Sequence, residues 1–249
     1  MCGRYALYSS KKAIASAFNL SKEPDPTPRY NVAPSQPVSA VTQVADSDDS
    51  SGNSSDNSSG SVPDSVPDSE RVYRVFQWGL IPSWAKDPAI GNRMINARAE
   101  TAAEKPSFRS AFKRRRCLVI ADGFYEWKKA APKAAKGKKQ PYFIQLADQS
   151  ILGMAGLWER WQSADGSYIE SCTILTTEPN SLMQTIHNRM PVILHPQDYD
   201  QWLDPTEQNR ERLQPLLRPF EAEAMQMYPV STTVNNPRND SHECIERSD

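Results

Sequence analysis

Position 2 of the chain is a cysteine, followed at once by Gly3 and Arg4. If Met1 is removed, Cys2 carries an α-amine and a thiol on adjacent carbons, a pair that only an N-terminal cysteine offers. An α-amine has a pKa of about 7.7–8.0, so a useful fraction is neutral and nucleophilic at neutral pH. The amine can condense with an aldehyde to a Schiff base, and the thiol can then close on the imine carbon to form a thiazolidine ring. The alternative is that Cys2 is an incidental small residue in a frayed terminus.

Two titratable residues further along the chain have the surroundings of a base and an acid. Glu126 lies between two aromatic residues in the run 121–127, where desolvation would raise its pKa toward general-base duty. His187 follows residues 181–184 (SLMQ), which fit a capping box and predict a helix over 181–189. The C-terminal end of a helix favours a protonated imidazole, which suits a general acid. Alternatively, Glu126 is a surface carboxylate and His187 is a helix-terminal histidine without a role.

A third polar stretch places Asn96 directly after two apolar residues, in the run 94–101 (MINARAET). The alternative for Asn96 is a turn residue. Several further stretches stand around these three candidates in a recognisable order, and together they resemble the SOS response-associated peptidase (SRAP) family. The motifs that carry the resemblance are MCGRYAL (1–7), RYNVAPSQP (29–37), WGLIPSW (78–84), INARAET (95–101), RRRCLVIADGFYEWKK (114–129), QPYFI (140–144), MAGLW (154–158), IHNRMPVIL (186–194) and VNNPRND (234–240).

Members of that family crosslink to abasic sites in single-stranded DNA, and the resemblance implies the same for this chain. It implies that Cys2 attacks the open-chain aldehyde of the abasic sugar through its α-amine and then its thiol. It also implies that Asn96 holds the amine or the sugar oxygens, that Glu126 moves protons at the amine, and that His187 protonates the sugar ring oxygen. β-Elimination at the Schiff base and self-cleavage of the bond after Met1 would add lyase-like and peptidase activities.

Contacts to DNA are predicted separately from the chemistry. Arg4, Arg98 and Arg189 flank the candidate catalytic residues in sequence, and each could pair with a phosphate beside the lesion. Trp84 is a candidate for stacking against a base next to the gap, the alternative being an ordinary core aromatic. No feature indicates base-specific recognition, so we expect backbone contacts and the aldehyde to supply the selectivity.

The net charge of −1 conceals an uneven distribution. Residues 45–70 contain ten serines, seven acidic residues and no Lys or Arg, a composition typical of a disordered loop. Removing the seven negative charges of this segment from the net charge of −1 leaves +6 for the rest of the chain. A basic body is consistent with a polyanionic partner, although a solvated basic surface is an equal alternative.

The composition limits which classes of protein the chain can belong to. The four cysteines, Cys2, Cys117, Cys172 and Cys244, lack CxxC spacing, so neither a disulfide framework nor a zinc site is predicted, and we expect no cofactor. We expect Cys117 and Cys172 to be buried in strands and Cys244 to lie in a polar tail.

No apolar run approaches the ~20 residues of a transmembrane helix and no secretory signal is evident, so we expect a cytoplasmic protein, nucleoid-associated if bacterial.

Strand-like runs dominate the elements that must position these residues. They are rich in β-branched and aromatic residues and occupy 38–44, 71–80, 117–121, 123–129, 141–146, 151–158 and 168–177. Helices are predicted over 10–20, 181–189, 197–203 and 205–217. Many strands with few helices predict an α+β fold with a mostly antiparallel sheet or open barrel at its centre. We expect one domain over 1–249, with 45–70 as a loop insertion, acting as a monomer.

Two other classes of function stay open from the sequence. One is a Cys-dependent peptidase or amidohydrolase that uses Cys2, His187 and Glu126 as a nucleophile–base set. The other is a non-covalent single-stranded DNA-binding module in which the basic face and Trp84 do all the binding.

Overall fold

The computed structural model describes residues 2–43, 70–128 and 139–248. The strands of this part are β1 (Tyr5–Leu7), β2 (Arg29–Val32), β3 (Pro37–Gln43), β4 (Arg71–Trp78), β5 (Asn96–Arg98), β6 (Arg116–Ala121), β7 (Gly123–Lys128), β8 (Gln140–Leu146), β9 (Leu152–Gln162), β10 (Tyr168–Thr177), β11 (Met190–Pro191), β12 (Ile193–Leu194) and β13 (Met225–Pro229). The α-helices are α1 (Lys11–Phe18), α2 (Ala99–Ala102), α3 (Arg109–Arg114), α4 (Tyr199–Leu203) and α5 (Arg210–Leu213).

Five of these strands close into a barrel in the order β10-β4-β3-β6-β9, because β9 pairs with both β6 and β10. All pairings in the ring are antiparallel except the parallel contact of β10 with β4. The closure depends on a glycine in β9. A Cβ on Gly156 would lie 2.8 Å from Cys117 Sγ and 3.1 Å from the Thr173 carbonyl oxygen, so no larger residue fits without displacement.

A second sheet, in the order β13-β8-β7-β1-β2, covers the barrel. Side chains alternate between the two faces of a strand, and in this sheet both faces are buried, each against a different apolar cluster. Tyr5 and Phe124 face the main core, whereas Ala6 and Tyr125 face a smaller apolar cluster on the other side. The C-terminal residues cover that smaller cluster, and Cys244 is buried there. The expectation that Cys244 lies in a polar tail is therefore wrong, whereas Cys117 and Cys172 are buried as predicted.

The fold class, α+β with a mostly antiparallel barrel, is confirmed. The helix predicted over 10–20 is α1, where the Ser10 side chain accepts a hydrogen bond from the Ala13 backbone N–H. The helix predicted over 205–217 is wrong in extent, since α5 gives way to a 3-10 turn at Gln214–Leu216. Pro215 explains the change, because it has no N–H to continue the α-helical pattern.

The helix predicted over 181–189 is also wrong. The chain forms only a 3-10 turn, Met183–Thr185, and the Asn180 side chain accepts from the Met183 N–H at 2.9 Å. β11 requires extended backbone from Met190, and the residue before a proline is disfavoured in a helix.

Two predictions, the acidic loop and the single domain, are not tested by the described residues. The predicted loop 45–70 lies outside the described residues, apart from Glu70, and the single-domain assignment stays a prediction. Within the described ranges, no helix combines the length and the apolar character needed to cross a membrane.

Candidate functional site

The pairing of β1 with β7 brings the N-terminus to Glu126. Tyr5 is opposite Phe124, and the Tyr125 N–H donates to the Arg4 carbonyl oxygen at 2.9 Å. Continuing this antiparallel register by two residues places Gly3 opposite Glu126. Sequence positions 2 and 126, which are far apart along the chain, are thereby neighbours.

The Glu126 side chain is 4% exposed, although not for the reason that the sequence indicates. Its two aromatic neighbours, Tyr125 and Trp127, pack in the smaller cluster on the opposite face of the sheet. Alternation along β7 puts Glu126 on the face of Phe124, toward the main core. Burial raises the pKa of the Glu126 carboxyl, and the positive charges of the chain's N-terminal amine and of Lys139 act in the opposite direction.

Cys2 is wholly buried beside this carboxyl. Burial, and then the negative charge of Glu126, raise the pKa of the Cys2 thiol to about 12. A backbone hydrogen bond from Arg4 lowers that pKa but does not reverse the shift. The thiol is therefore protonated at neutral pH.

Asn96 fixes Cys2 from the other side. It is the first residue of β5, which runs parallel to β10 with Asn96 opposite Ile174. Its Nδ2 donates to the Cys2 carbonyl oxygen at 2.7 Å. Its Oδ1 is buried and has no hydrogen-bond partner among the described residues, so it is a spare acceptor beside Cys2. The structure thus brings Cys2, Asn96 and Glu126 together.

His187 lies in the loop between the 3-10 turn and β11, not at a helix end. Its Nδ1 is 3.0 Å from the Arg189 backbone nitrogen and 3.2 Å from the Arg189 carbonyl oxygen. The ring nitrogen can therefore accept from the N–H when neutral or donate to the carbonyl when protonated. β11 pairs with Thr176 and Thr177 at the end of β10, next to β5, so the topology brings His187 to the end of the barrel that holds Asn96. His187 also lines an open cavity of about 540 Å³.

Two of the three predicted phosphate ligands are bound within the protein. Arg189 forms a bidentate ion pair with Glu100, at 2.6 and 2.9 Å, and also donates to the Thr176 carbonyl oxygen. The Arg4 Nη1 donates to Asn31 Oδ1 at 2.7 Å and to a main-chain carbonyl. Arg98, in contrast, is exposed and has no carboxylate partner among the described residues.

Trp84 is 58% exposed, which rules out the alternative of an ordinary core aromatic. It stands on a loop that folds back on itself where Gly79, with φ +128°, meets Gly91. A Cβ on either glycine would lie 2.6 Å from the carbonyl oxygen of the other, so this approach requires glycine at both positions. The loop is anchored beneath Trp84 by Trp161, whose Nε1 donates to the Ala85 carbonyl oxygen at 2.7 Å.

Two further residues near the site hold predicted site arginines in place. Glu100 holds Arg189, and its pKa is lowered, first of all by that hydrogen bond. Asn31 is wholly buried in β2 and holds Arg4. The sequence signals for Asn31 are its place in the family motif 29–37 and its position as a polar residue between aromatic and aliphatic neighbours, and neither indicates its partners.

Comparisons with known proteins show the family and the fold. The family model described as SOS response associated peptidase (SRAP) matches residues 1–237. Abasic site processing protein YoqW of Bacillus subtilis (strain 168) is 42% identical over 249 residues, covering 99% of each chain. Abasic site processing protein HMCES of Xenopus tropicalis is 36% identical over 200 residues, which cover 71% of this chain and 58% of that protein. A crystal structure of a protein from Bacteroides thetaiotaomicron superimposes with a TM-score of 0.78 at 27% identity, covering 99% of this chain and 100% of that one.

Proposed function

The chain belongs to the SOS response-associated peptidase family, and on that premise we propose that it processes abasic sites in single-stranded DNA by forming a covalent thiazolidine link through Cys2. The reaction requires prior removal of Met1. The observation that carries the proposal is the position of Cys2, whose carbonyl is held by Asn96 beside the buried carboxyl of Glu126. The names of the relatives, which are abasic site processing proteins, support the choice of substrate.

The chemistry begins at the amine. The Cys2 α-amine adds to the open-chain aldehyde of the abasic sugar, and the resulting carbinolamine loses water to give a Schiff base. The thiol then adds to the imine carbon, and its proton passes to the nitrogen as the ring closes. The net reaction releases one water and breaks no bond of the DNA backbone.

Glu126 is the proton carrier at this centre. Its raised pKa allows it to accept a proton from the amine and return one to the departing hydroxyl within the same cycle. His187 donates a proton to the ring oxygen of the closed sugar, which exposes the aldehyde. The two contacts of its Nδ1 with Arg189 serve both of its protonation states.

The raised pKa of the Cys2 thiol separates this function from the peptidase alternative. A cysteine peptidase attacks as the thiolate and therefore depends on a lowered thiol pKa. Here burial and Glu126 act in the opposite direction, so the thiol is a poor first nucleophile. Peptidase activity is restricted in this proposal to the bond after Met1, and β-elimination from the Schiff base is a minor lyase-like side reaction.

DNA is held by exposed groups around the centre. Arg98 contacts a phosphate, and Trp84 stacks on a base beside the gap. Arg4 and Arg189, which are bound within the protein, contribute chiefly by shaping the site.

The proposal is tested by comparing Cys2→Ser with wild type on a single-stranded oligonucleotide containing one abasic site, under denaturing electrophoresis. The wild type should give a heat-stable adduct without a reductant. Cys2→Ser keeps the amine but cannot form a thiazolidine, so its adduct should appear only after borohydride reduction of the imine. A Cys2→Ser adduct as heat-stable as that of wild type would refute thiazolidine formation. A wild type that binds the oligonucleotide without any adduct would favour the non-covalent alternative.

A further inference from the structure

The C-terminal segment 234–240 (VNNPRND) is tied to β2 by a buried asparagine. Asn31 Nδ2 donates to the carbonyl oxygens of Val234 at 3.2 Å, Asn236 at 3.0 Å and Asn239 at 2.6 Å. The Asp240 carboxylate accepts from the backbone N–H of Asn31 at 2.9 Å and from that of the preceding residue at 2.6 Å. Asn31 is wholly buried, and its bond to the Val234 carbonyl oxygen is buried with it, whereas the bonds to Asn236, Asn239 and Asp240 are part-buried.

The same segment contacts the side chains that neighbour the reactive residues in sequence. Arg4 Nη1 donates to Asn31 Oδ1 at 2.7 Å and to the Val234 carbonyl oxygen at 2.8 Å. Trp127 Nε1 donates to Asn235 Oδ1 at 2.6 Å, and the Arg4 guanidinium lies 5.8 Å from the centre of the Trp127 ring. The 234–240 segment therefore links the strand that leads to Cys2 with the strand that carries Glu126.

This link matters because it holds the reactive end of the chain from a side that neither the core around Cys2 nor the Tyr125 bond to the Arg4 carbonyl oxygen reaches. β1 begins at Tyr5, so residues 2–4 extend beyond the regular pairing with β7. Chain termini fray unless they are tied down. Among the described residues, the side-chain hydrogen bonds that anchor this stretch include the Asn96 bond to the Cys2 carbonyl and the Arg4 bonds to Asn31 and Val234.

We propose that Asn31 is a positioning residue for the crosslinking reaction: by holding Arg4 against the 234–240 segment, it keeps Cys2 beside Glu126. Its effect on crosslinking rests on the proposed function. Its effect on the placement of Cys2 does not, so the two can be tested apart.

The first measurement is the rate at which iodoacetamide alkylates each cysteine without DNA, read by peptide mass spectrometry. All four thiols are buried, so each reacts only when its surroundings open. Asn31→Leu should speed labelling of Cys2 by about tenfold or more, because it removes a hydrogen bond to a charged group. Cys117 and Cys172, in the barrel, should label at the wild-type rate and thus report that the variant is folded.

The second measurement is crosslinking at saturating DNA. Asn31→Leu should slow the single-turnover rate by about 10- to 100-fold, which is the scale of a small misplacement of a reacting group. Affinity for an oligonucleotide with a tetrahydrofuran abasic analogue, which has no aldehyde, should stay within twofold of wild type.

Asp122→Ala is the matched control, because Asp122 is also buried and its carboxylate accepts from the Ser9 backbone N–H at 2.8 Å, at the other end of β1. Asp240→Ala is the milder second variant if Asn31→Leu does not fold, and it should reproduce the Cys2 effect in part. Unchanged labelling of Cys2 in a folded variant would overturn the proposal, as would equal effects in Asp122→Ala. Faster labelling of Cys2 in protein whose wild type forms no adduct would uphold the positioning role and refute only the proposed function.

Discussion

At the scale of single residues, the account depends on Glu126 being both buried and ionisable. Glu126→Gln keeps the shape and removes the charge. We expect the crosslinking rate to fall by about 100-fold or more, as for the loss of a general base, while affinity for undamaged single-stranded DNA is unchanged. The wild-type rate should rise with pH through the Glu126 pKa, which burial raises above 4.5, and this step should be missing in the variant. An unchanged pH profile in Glu126→Gln would remove Glu126 from the mechanism.

The buried Glu126 carboxyl, when ionised, should lower the free energy of unfolding. Because its pKa is raised in the folded state, folding favours its protonated form, and the free energy of unfolding falls as pH rises from 4.5 through the raised pKa. Glu126→Gln has no such loss, so it should be more stable than wild type at pH 7, by a margin that shrinks toward pH 4.5. Urea denaturation at both pH values measures the difference. A variant that is less stable at pH 7 would contradict this electrostatic description.

Of the three arginines predicted to bind phosphate, Arg98 is the one that is exposed and, among the described residues, not held by a buried partner. Arg98→Ala should weaken binding to single-stranded DNA and reduce the slope of log K against log salt by about 0.7, the value for one phosphate contact. Fluorescence anisotropy over a salt series measures the slope. Lys12→Ala, an exposed position on α1 with the same change of charge, is the control and should leave the slope unchanged. Equal slopes for Arg98→Ala and wild type would exclude the contact.

At the scale of elements, the barrel depends on the close approach at Gly156 of β9. Gly156→Ala should destabilise the protein by about 1–3 kcal/mol, because its Cβ would meet Cys117 Sγ at 2.8 Å. Cys117→Ala removes that sulfur, so the double variant should recover part of the loss. A double-mutant cycle from urea midpoints gives the coupling. Strict additivity would show that the contact with Cys117 is not what restricts position 156.

The elements also show what local pattern can and cannot predict. The runs that became β3, β4 and β6–β10 are long and rich in β-branched residues, and their pattern identifies them. β5, β11 and β12 have two or three residues each and exist because the edges of β9 and β10 pair with them. No local preference predicts such strands. In place of the helix predicted around His187, the chain has a 3-10 turn and a loop that leads into β11, a strand that local preference does not predict either.

At the scale of the whole molecule, we expect the barrel to fold without the acidic segment. Gln43 and Arg71 are paired across β3 and β4, so a short turn can join the two strands in place of the chain between them. Deleting residues 46–69 removes six acidic residues and should leave the fold intact while speeding association with single-stranded DNA at low salt. Stopped-flow fluorescence measures the rate. A difference that persists at high salt would contradict an electrostatic origin.

The long-range contacts explain why the site was only partly predictable. The motifs of the family predict Cys2, Asn96, Glu126 and His187 as the reactive residues, and the structure brings the first three together. The face on which Glu126 lies, and the internal partners of Arg4 and Arg189, depend on residues distant in sequence. Asn31 reaches across 203 residues to Val234, and no local pattern contains that contact.

The most direct test of the central claim is the intact mass of the product formed with a single-stranded oligonucleotide carrying one abasic site. The account predicts the mass of the protein without Met1 plus that of the oligonucleotide, less one water, stable to heat. This mass should be absent with Cys2→Ala and with an undamaged strand. A processed N-terminus and no adduct, or the same adduct with Cys2→Ala, would contradict it.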